Sequence, residues 1–335
     1  MKYCKLGEIC NIRTGKLDAN AASRNGKYPF FTCSKEPLKI DMYSYDCECI
    51  LVAGNGDLNV KYYDGKFDAY QRTYIIEVLD KLRFNTKFIY LLINSKIEEL
   101  RNASIGGVIK YIKLNNLTDI QVPIISMNEQ DNIVETMYNI SQAINLKQNQ
   151  IIKLNELVKS QFVGMFGNPV NNSKQWRQFK LNQLGYFGRG VSKHRPRNAP
   201  GLLNGPYPLI QTGDVSNSDL YIKQYFSTYS ELGLKQSKMW PSGTLCITIA
   251  ANIAQTSILS FDACFPDSVV GFIANEKTNN IFMHYWFSFL QKIIDSKASQ
   301  VAQKNINLHI LSELDVITPP IELQNKFAQI VEHID

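Results

Sequence analysis

LNNLTDIQVPIISMNEQDNIVETMYNI, residues 114–140, returns as LHILSELDVITPPIELQNKFAQIVEHI, residues 308–334. Leu114, Leu117, Ile120 and Val122 recur as Leu308, Leu311, Leu314 and Val316. Gln130, Ile133, Met137 and Ile140 recur as Gln324, Phe327, Val331 and Ile334, every pair 194 residues apart. Phe88 and Phe282 share the offset. A period this long is no solenoid, whose repeats run about 20–50 residues. It marks a duplicated domain, and a duplicated chain presents two similar surfaces to a partner that is itself two-sided.

Within the first copy, Ser126 followed by Glu129 is a capping box, which satisfies orphan amides at a helix start. Apolar residues then fall at Ile133, Met137, Ile140, Ile144, Ile151, Leu154, Val158 and Phe162. The steps alternate four and three, interrupted once by Lys147, as in a coiled-coil seam. Such a helix, roughly 35 residues at about 1.5 Å each, spans about 52 Å. Gly164, Gly167 and Pro169 end it, and the polar stretch Val170–Gln178 reads as a linker. In the second copy Thr318-Pro319-Pro320 opens a helix with Phe327, Val331 and Ile334 on its seam. An isolated amphipathic helix that short is marginal, so it is expected to pack antiparallel on the first.

The rest of each copy reads as β. Short apolar runs, Cys49–Ala53 and Tyr74–Val78, are separated by turn signals at Asn25-Gly26, Gly54–Asp57 and Asp64-Gly65, and Lys87–Leu100 has helical spacing. Lys5-Leu6 through Gly15 resembles Lys180-Leu181 through Gly190, and Tyr28-Pro29 resembles Tyr207-Pro208. Cys49–Val52 matches Thr244–Ile247, and Thr73–Ile76 matches Ser268–Gly271. Here the offsets wander between 175 and 195, so the loops differ while the framework persists. The expected fold is α+β. Two β-rich recognition domains (1–126 and 166–318) stand in tandem repeat, linked by a long coiled-coil helix (127–165) that pairs with a shorter C-terminal helix (319–335).

Bulk properties narrow the function. The 335 residues are 44% hydrophobic and 20% charged, ordinary for a globular chain of two or three domains. No run approaches the roughly 18 apolar residues of a membrane span, and Met1-Lys2-Tyr3-Cys4 lacks a signal-peptide core. Seven scattered cysteines, with Cys47-Glu48-Cys49 the one close pair, read as reduced thiols, and a cytoplasmic location with no membrane partner is expected. The net charge is +6. Residues 1–126 carry 18 Lys+Arg against 14 Asp+Glu, residues 163–335 carry 15 against 12, and the segment between carries 3 against 4. Two mildly basic blocks thus flank a slightly acidic helix, a balance that slightly favours polyanions.

No catalytic constellation emerges. His194, His284, His309 and His333 lack metal-ligand spacing, so no metal is expected, and neither a nucleophile elbow nor a phosphate-binding glycine loop is present. His284 reads as a packed helix residue. Asn204-Gly205-Pro206-Tyr207 reads as a turn into a strand rather than a methyltransferase motif, because no cofactor loop accompanies it. Pro266-Asp267 fails as a nuclease motif because Thr278 stands where a Lys is required, and Asp267 reads as a loop residue. The chain is expected to be non-catalytic by itself and to need no cofactor.

The polar constellations that remain suit nucleic acid. Val191–Asn198 holds Lys193, His194, Arg195 and Arg197 around a proline, just after Arg189. Such a loop would neutralise phosphates or fork onto guanine, or would simply be solvated. The first copy places Arg13, Lys16, Arg24 and Lys27 in the equivalent stretch. Polar tips follow buried strands at Thr32–Lys35, ending in Lys35, and at Gln211–Asp214, starting with Gln211. Gln71 and Arg72 stand side by side before a strand, and Asn252 and Gln255 are comparable in the second copy. Gln pairs with adenine and Arg with guanine in the major groove.

Taken together, the chain resembles the specificity subunit of type I restriction–modification enzymes. The resemblance rests on Leu114–Val134 and Leu308–Val331, each a Leu-rich strand, a proline and a Gln-opened helix. It rests also on Leu6-Gly7-Glu8-Ile9 and on the long helix running into Phe162, Met165-Phe166-Gly167-Asn168-Pro169, and it covers nearly the whole chain. It implies two target-recognition domains, each reading half of a split DNA site, and paired helices acting as a ruler. It implies docking of methyltransferase subunits and of restriction/translocase subunits. The short C-terminal helix departs from the pattern. The competing reading is a non-catalytic duplicated scaffold that binds protein.

Overall fold

The computed structural model describes residues 2–250, 254–290 and 308–334. Chain contacts divide it into two units, Met1–Gln148 and Asn149–Asp335.

In the first unit, β1 (Tyr3–Lys5) pairs antiparallel with β8 (Gln121–Pro123), Cys4 opposite Val122. A six-stranded sheet follows, ordered β2 (Cys10–Thr14), β7 (Thr73–Val78), β5 (Tyr45–Ala53), β6 (Val60–Ala69), β3 (Tyr28–Phe31), β4 (Leu38–Ile40). Successive side chains of a strand point to opposite faces, and Cys49–Ala53 of the central β5 is buried on both. Ile50 and Val52 pack with Ile76 under Phe88, Ile89 and Ile93. Cys49 and Leu51 pack with Ile75, Phe31 and Phe67 on the other side. The helix expected over Lys87–Leu100 is two helices, Thr86–Ser95 and Ile97–Ala103, broken at Lys96. The bend lets Ile93 and Leu100 join one core.

In the second unit, β9 (Gln178–Lys180) pairs with β19 (Asp315–Ile317) as β1 does with β8. A five-stranded sheet runs β10 (Gly185–Arg189), β18 (Val269–Ala274), β15 (Leu245–Thr248), β16 (Thr256–Leu259), β12 (Tyr221–Ile222). A four-stranded sheet runs β13 (Ser227–Tyr229), β11 (Leu203–Leu209), β17 (Ala263–Cys264), β14 (Met239–Trp240). The matching strands are offset by 196 residues at β7 and β18, one more than the sequence match suggests. Gly15 N donates to Thr73 O, and Gly190 N donates to Val269 O. Thr73 therefore corresponds to Val269, not to Ser268.

The long helix is Met127–Phe166, 40 residues. Its capping box is formed: Ser126 N donates to Glu129 Oε2 at 2.9 Å, and Glu129 N to Ser126 Oγ at 3.3 Å. It ends at Gly167, whose φ of +77° closes the last turn. The expected polar linker instead closes that end. Lys174 Nζ donates to the Gly164 and Met165 carbonyls, and Trp176 Nε1 to that of Phe166. Unsatisfied helix carbonyls attract such donors.

The 194-residue repeat is also a repeated hydrogen-bond network. Gln130 Oε1 accepts from Asn85 N at 2.9 Å, while Nε2 donates to Arg83 O and Ile125 O. Gln324 Oε1 accepts from Asn279 N at 3.1 Å, while Nε2 donates to Lys277 O and Pro319 O. Asn85 and Asn279 in turn cap the following helices through their side-chain oxygens. A buried amide has this many bonds to satisfy, which explains why both glutamines sit at the same repeat position.

The paired coiled coil is realised only at one end. The C-terminal helix Ile321–Glu332 brings Phe327 against Phe162 and Phe166, ring centroids 5.4 and 5.5 Å apart. Val158, Phe162 and Val331 are buried, and Ile334 packs beside them. Ile133, Met137, Ile140, Ile144, Ile151 and Leu154 are exposed. The 12 residues Ile321–Glu332, at about 1.5 Å each, pack on the Val158–Phe166 end of the stripe. Among the described residues no helix is long and apolar enough to cross a membrane.

Candidate nucleic-acid interface

Each copy has a tight junction where the first sheet strand turns into a polar loop. A Cβ on Gly15 would lie 2.1 Å from Ala69 O, and one on Gly190 would lie 2.1 Å from Phe265 O. Only glycine allows so close an approach of two backbones. The junctions therefore correspond, and they set what gathers around them.

In the first unit the chain leaves Gly15 alongside residues 69–73. Leu17 pairs with Tyr70, and Gln71 N donates to Leu17 O. Thr73 Oγ1 donates to Phe31 O, and Cys33 Sγ to Arg72 O, which draws in the loop after β3. Lys16, Lys35, Gln71 and Arg72, all exposed, thus share one end of the sheet. Lys61, not singled out in the sequence, joins them through Ser34 O at 2.8 Å and a contact with Asn59. Its burial pushes its ammonium below the usual lysine range. Lys35 lies 3.6 Å from Asp57. Arg13 does not converge on this cluster, because it is bound to Glu77 at 2.5 Å and lies over the Tyr45 ring. Arg24 and Lys27 lie apart too, at the β4 edge, where Ser23 N donates to Lys39 O.

In the second unit the basic loop is pinned, not free. Lys193 N donates to Gln236 O and His194 N to Gln236 Oε1. Arg195 donates to Ser192 O at 2.6 Å and His194 O at 2.9 Å, and its other terminal nitrogen lies 3.6 Å from Asp267. Arg197 binds Asp267 at 2.5 Å. Arg197 then lines a cleft of about 240 Å³ with Gln211, Thr212, Ser227, Pro266 and Ser268. Gln211 Nε2 donates to Ser227 Oγ at 3.2 Å. Arg189 is exposed on β10, opposite Val270. Gln255 belongs to a different cleft, of about 430 Å³, with Lys159, Thr256 and His284. Asn252 lies outside the described residues. His284 sits in the helix Asn280–Phe287 as a packed residue, its Nδ1 3.0 Å from Thr256 Oγ1.

Gln236 was not singled out from sequence and Asp267 was read there only as a loop residue, although both organise the basic loop. The signal that would have found Asp267 is the 196-residue offset, which places it opposite Gln71. Among the described residues no group of three or more His, Cys, Asp or Glu side chains could hold a metal ion, and the described cysteines are free thiols.

These features define a class: a tandem-duplicated α+β chain whose two β-rich modules each gather basic and amide side chains at a glycine-locked loop junction. Residues 1–156 and 173–335 match the model of the type I restriction modification DNA specificity domain, and the chain belongs to that family. The type I restriction enzyme EcoDI specificity subunit of Escherichia coli is 28% identical over 366 residues, covering 99% of this chain and 81% of its own length. The crystal structure of a type I restriction–modification S subunit from M. genitalium superposes with a TM-score of 0.63 at 17% identity, covering 100% of this chain and 89% of its own. A chain in a structure on complex assembly and conformational transition of the type I R-M system gives 0.53 at 17% identity, covering 99% and 90%. The fold is thus that of S subunits, with two specificity domains in tandem.

Proposed function

We propose that this chain is the DNA-reading component of a type I restriction–modification complex. Residues 1–126 read one half of a split double-stranded site, and residues 166–318 read the other. Residues 127–165 and 319–335 form the connecting helices. Methyl transfer belongs to methyltransferase subunits and cleavage to restriction/translocase subunits, so the chain itself is non-catalytic. The observation that carries this reading is the repeated junction at Gly15 and Gly190. One framework presents two different sets of basic and amide side chains, as two readers of unlike half-sites require.

The exposed seam from Ile133 to Leu154 is the proposed docking face for partner helices. A run of aliphatic side chains at four- and three-residue steps, half exposed along a helix, is costly to leave in water.

The test is a swap of residues 1–126 for the equivalent segment of a related chain, co-expressed with its methyltransferase subunit in a methylation-free host. Long-read methylation mapping is expected to show one half of the motif replaced and the other retained. An unchanged motif in both halves would favour a protein-binding scaffold instead.

A further inference from the structure

We propose that Gln71 and Asp267 are paired specificity-determining positions, one per repeat, and that they act by different chemistry. The inference rests on the DNA-reading function proposed above and deepens it.

The two residues are structurally equivalent. Each stands two residues beyond the carbonyl that crowds the junction glycine, Ala69 for Gly15 and Phe265 for Gly190. Each also stands two residues before the backbone that receives that glycine's N–H, Thr73 and Val269. Both turns are held firmly. Thr73 N donates to Tyr70 O, and Val269 N to Pro266 O. Gly54 N donates to Arg72 O in one copy, and Ile249 N to Ser268 O in the other. A side chain at position 71 or 267 therefore projects from a rigid platform at the glycine-locked junction of its copy.

What they present differs. Gln71 is exposed, and its side-chain amide has no hydrogen-bond partner among the described residues. With donor and acceptor both free, it matches the adenine edge in the major groove. Asp267 offers the opposite: a carboxylate, which by itself repels a phosphate backbone. Its two partners resolve this. It binds Arg197 at 2.5 Å and lies 3.6 Å from Arg195, leaving the trio net positive.

Arg195 donates to Ser192 O and His194 O through one terminal nitrogen and holds the other 3.6 Å from Asp267, so it staples the loop. Arg197 has one terminal nitrogen on Asp267 and faces the cleft that holds Gln211. A guanidinium has five donors in a fixed fork, so Arg197 retains donors for a base edge while Asp267 sets its direction. Asp267 is a positioning residue and Arg197 the reader. In the first repeat the reader, Gln71, occupies the platform itself.

The test reads sequence preference, which a purely structural role would not alter in one half alone. Gln71→Ala, Asp267→Asn and Asp267→Ala are each co-expressed in the full chain with the methyltransferase subunit, and the methylated motif is mapped by long-read sequencing. Gln71→Ala is expected to lower discrimination about tenfold or more at one base of one half-site, with the other half intact. Asp267→Asn is expected to do so in the opposite half. Retention of both halves in either variant overturns the proposal, as does relaxation of the same half by both. So does loss of all methylation in both Asp267 variants, which would make the residue structural. If the unsubstituted chain yields no two-part motif, the DNA-reading function itself fails, independently of these residues.

Discussion

Replacing Gln324 with alanine tests whether the repeated glutamine network holds each unit together. Gln324 is 0% exposed, and four groups depend on it: the Asn279 N–H, the Thr278 hydroxyl, and the Lys277 and Pro319 carbonyls. A buried polar group left without a partner costs about 1–3 kcal/mol. The Thr278 hydroxyl can rotate and water can enter the vacated space, so the low end applies to each group. The expected destabilisation is about 3–5 kcal/mol, a large share of a typical total of about 5–15 kcal/mol. The assay is urea unfolding followed by tryptophan fluorescence. Trp176, Trp240 and Trp286 all lie in Asn149–Asp335, so the signal reports the unit that contains Gln324. A slope of about 1–3 kcal/mol per molar urea puts the midpoint shift at about 1 M or more. A shift worth less than about 1 kcal/mol would refute the reasoning, because the network would then be replaceable by solvent. Gln130→Ala is expected to show the same weakness locally, as lost hydrogen-exchange protection at the Asn85 amide.

Further outcomes follow from single features. Burial holds the His284 imidazole down at about 4, against 6.5 in the unfolded chain, so the unfolded state takes up its proton first as pH falls. Stability is therefore full above about pH 6.5 and declines toward pH 4, by about 1.4 kcal/mol per unit inside that window. His284→Gln, compared by urea midpoints across the window, is expected to flatten the decline, and an equally steep profile would show that other groups cause it. Arg195→Ala combined with Arg197→Ala is expected to weaken DNA binding of the assembled complex and to flatten its salt dependence, with the unfolding midpoint kept; unaltered affinity would remove the loop from the interface. Ile144→Glu with Ile151→Glu, both on the exposed seam, is expected to change the chain's own stability by less than about 1 kcal/mol. The same pair is expected to abolish co-purification of the methyltransferase subunit, and undiminished co-purification would place the docking face elsewhere.

The helix-based part of the fold was legible because its signals are local or strictly periodic. Ser126 and Glu129 are three residues apart and bond each other. The equivalences at offset 194 survive because each serves one shared task, such as the Gln130 and Gln324 amides bridging a helix start to the turn before it. The β framework was legible in outline but not in register. One residue of slip at β18 hid the match between Gln71 and Asp267, and a one-residue slip changes which side chain occupies a given place. The loops were the least legible. Arg13 looked like a partner of Lys16 because they are neighbours in sequence, yet strand alternation and Glu77 hold it in the sheet. The seam from Ile133 to Phe162 was readable as apolar periodicity, but tertiary packing decides which part of it another helix covers.

Sequence alone was enough for the duplication, the capped long helix, its apolar stripe and the basic character of the loops, because each depends on spacing within a few residues or on a constant offset. Only the tertiary structure decided which of the basic and amide residues act together. Arg197 and Asp267 are 70 residues apart in the chain. They meet because Gly190 lets β10 approach the turn after β17 with no side chain between them. That contact is set by sheet register and by one missing Cβ. It separates a loop of positive charge from a guanidinium held in one direction.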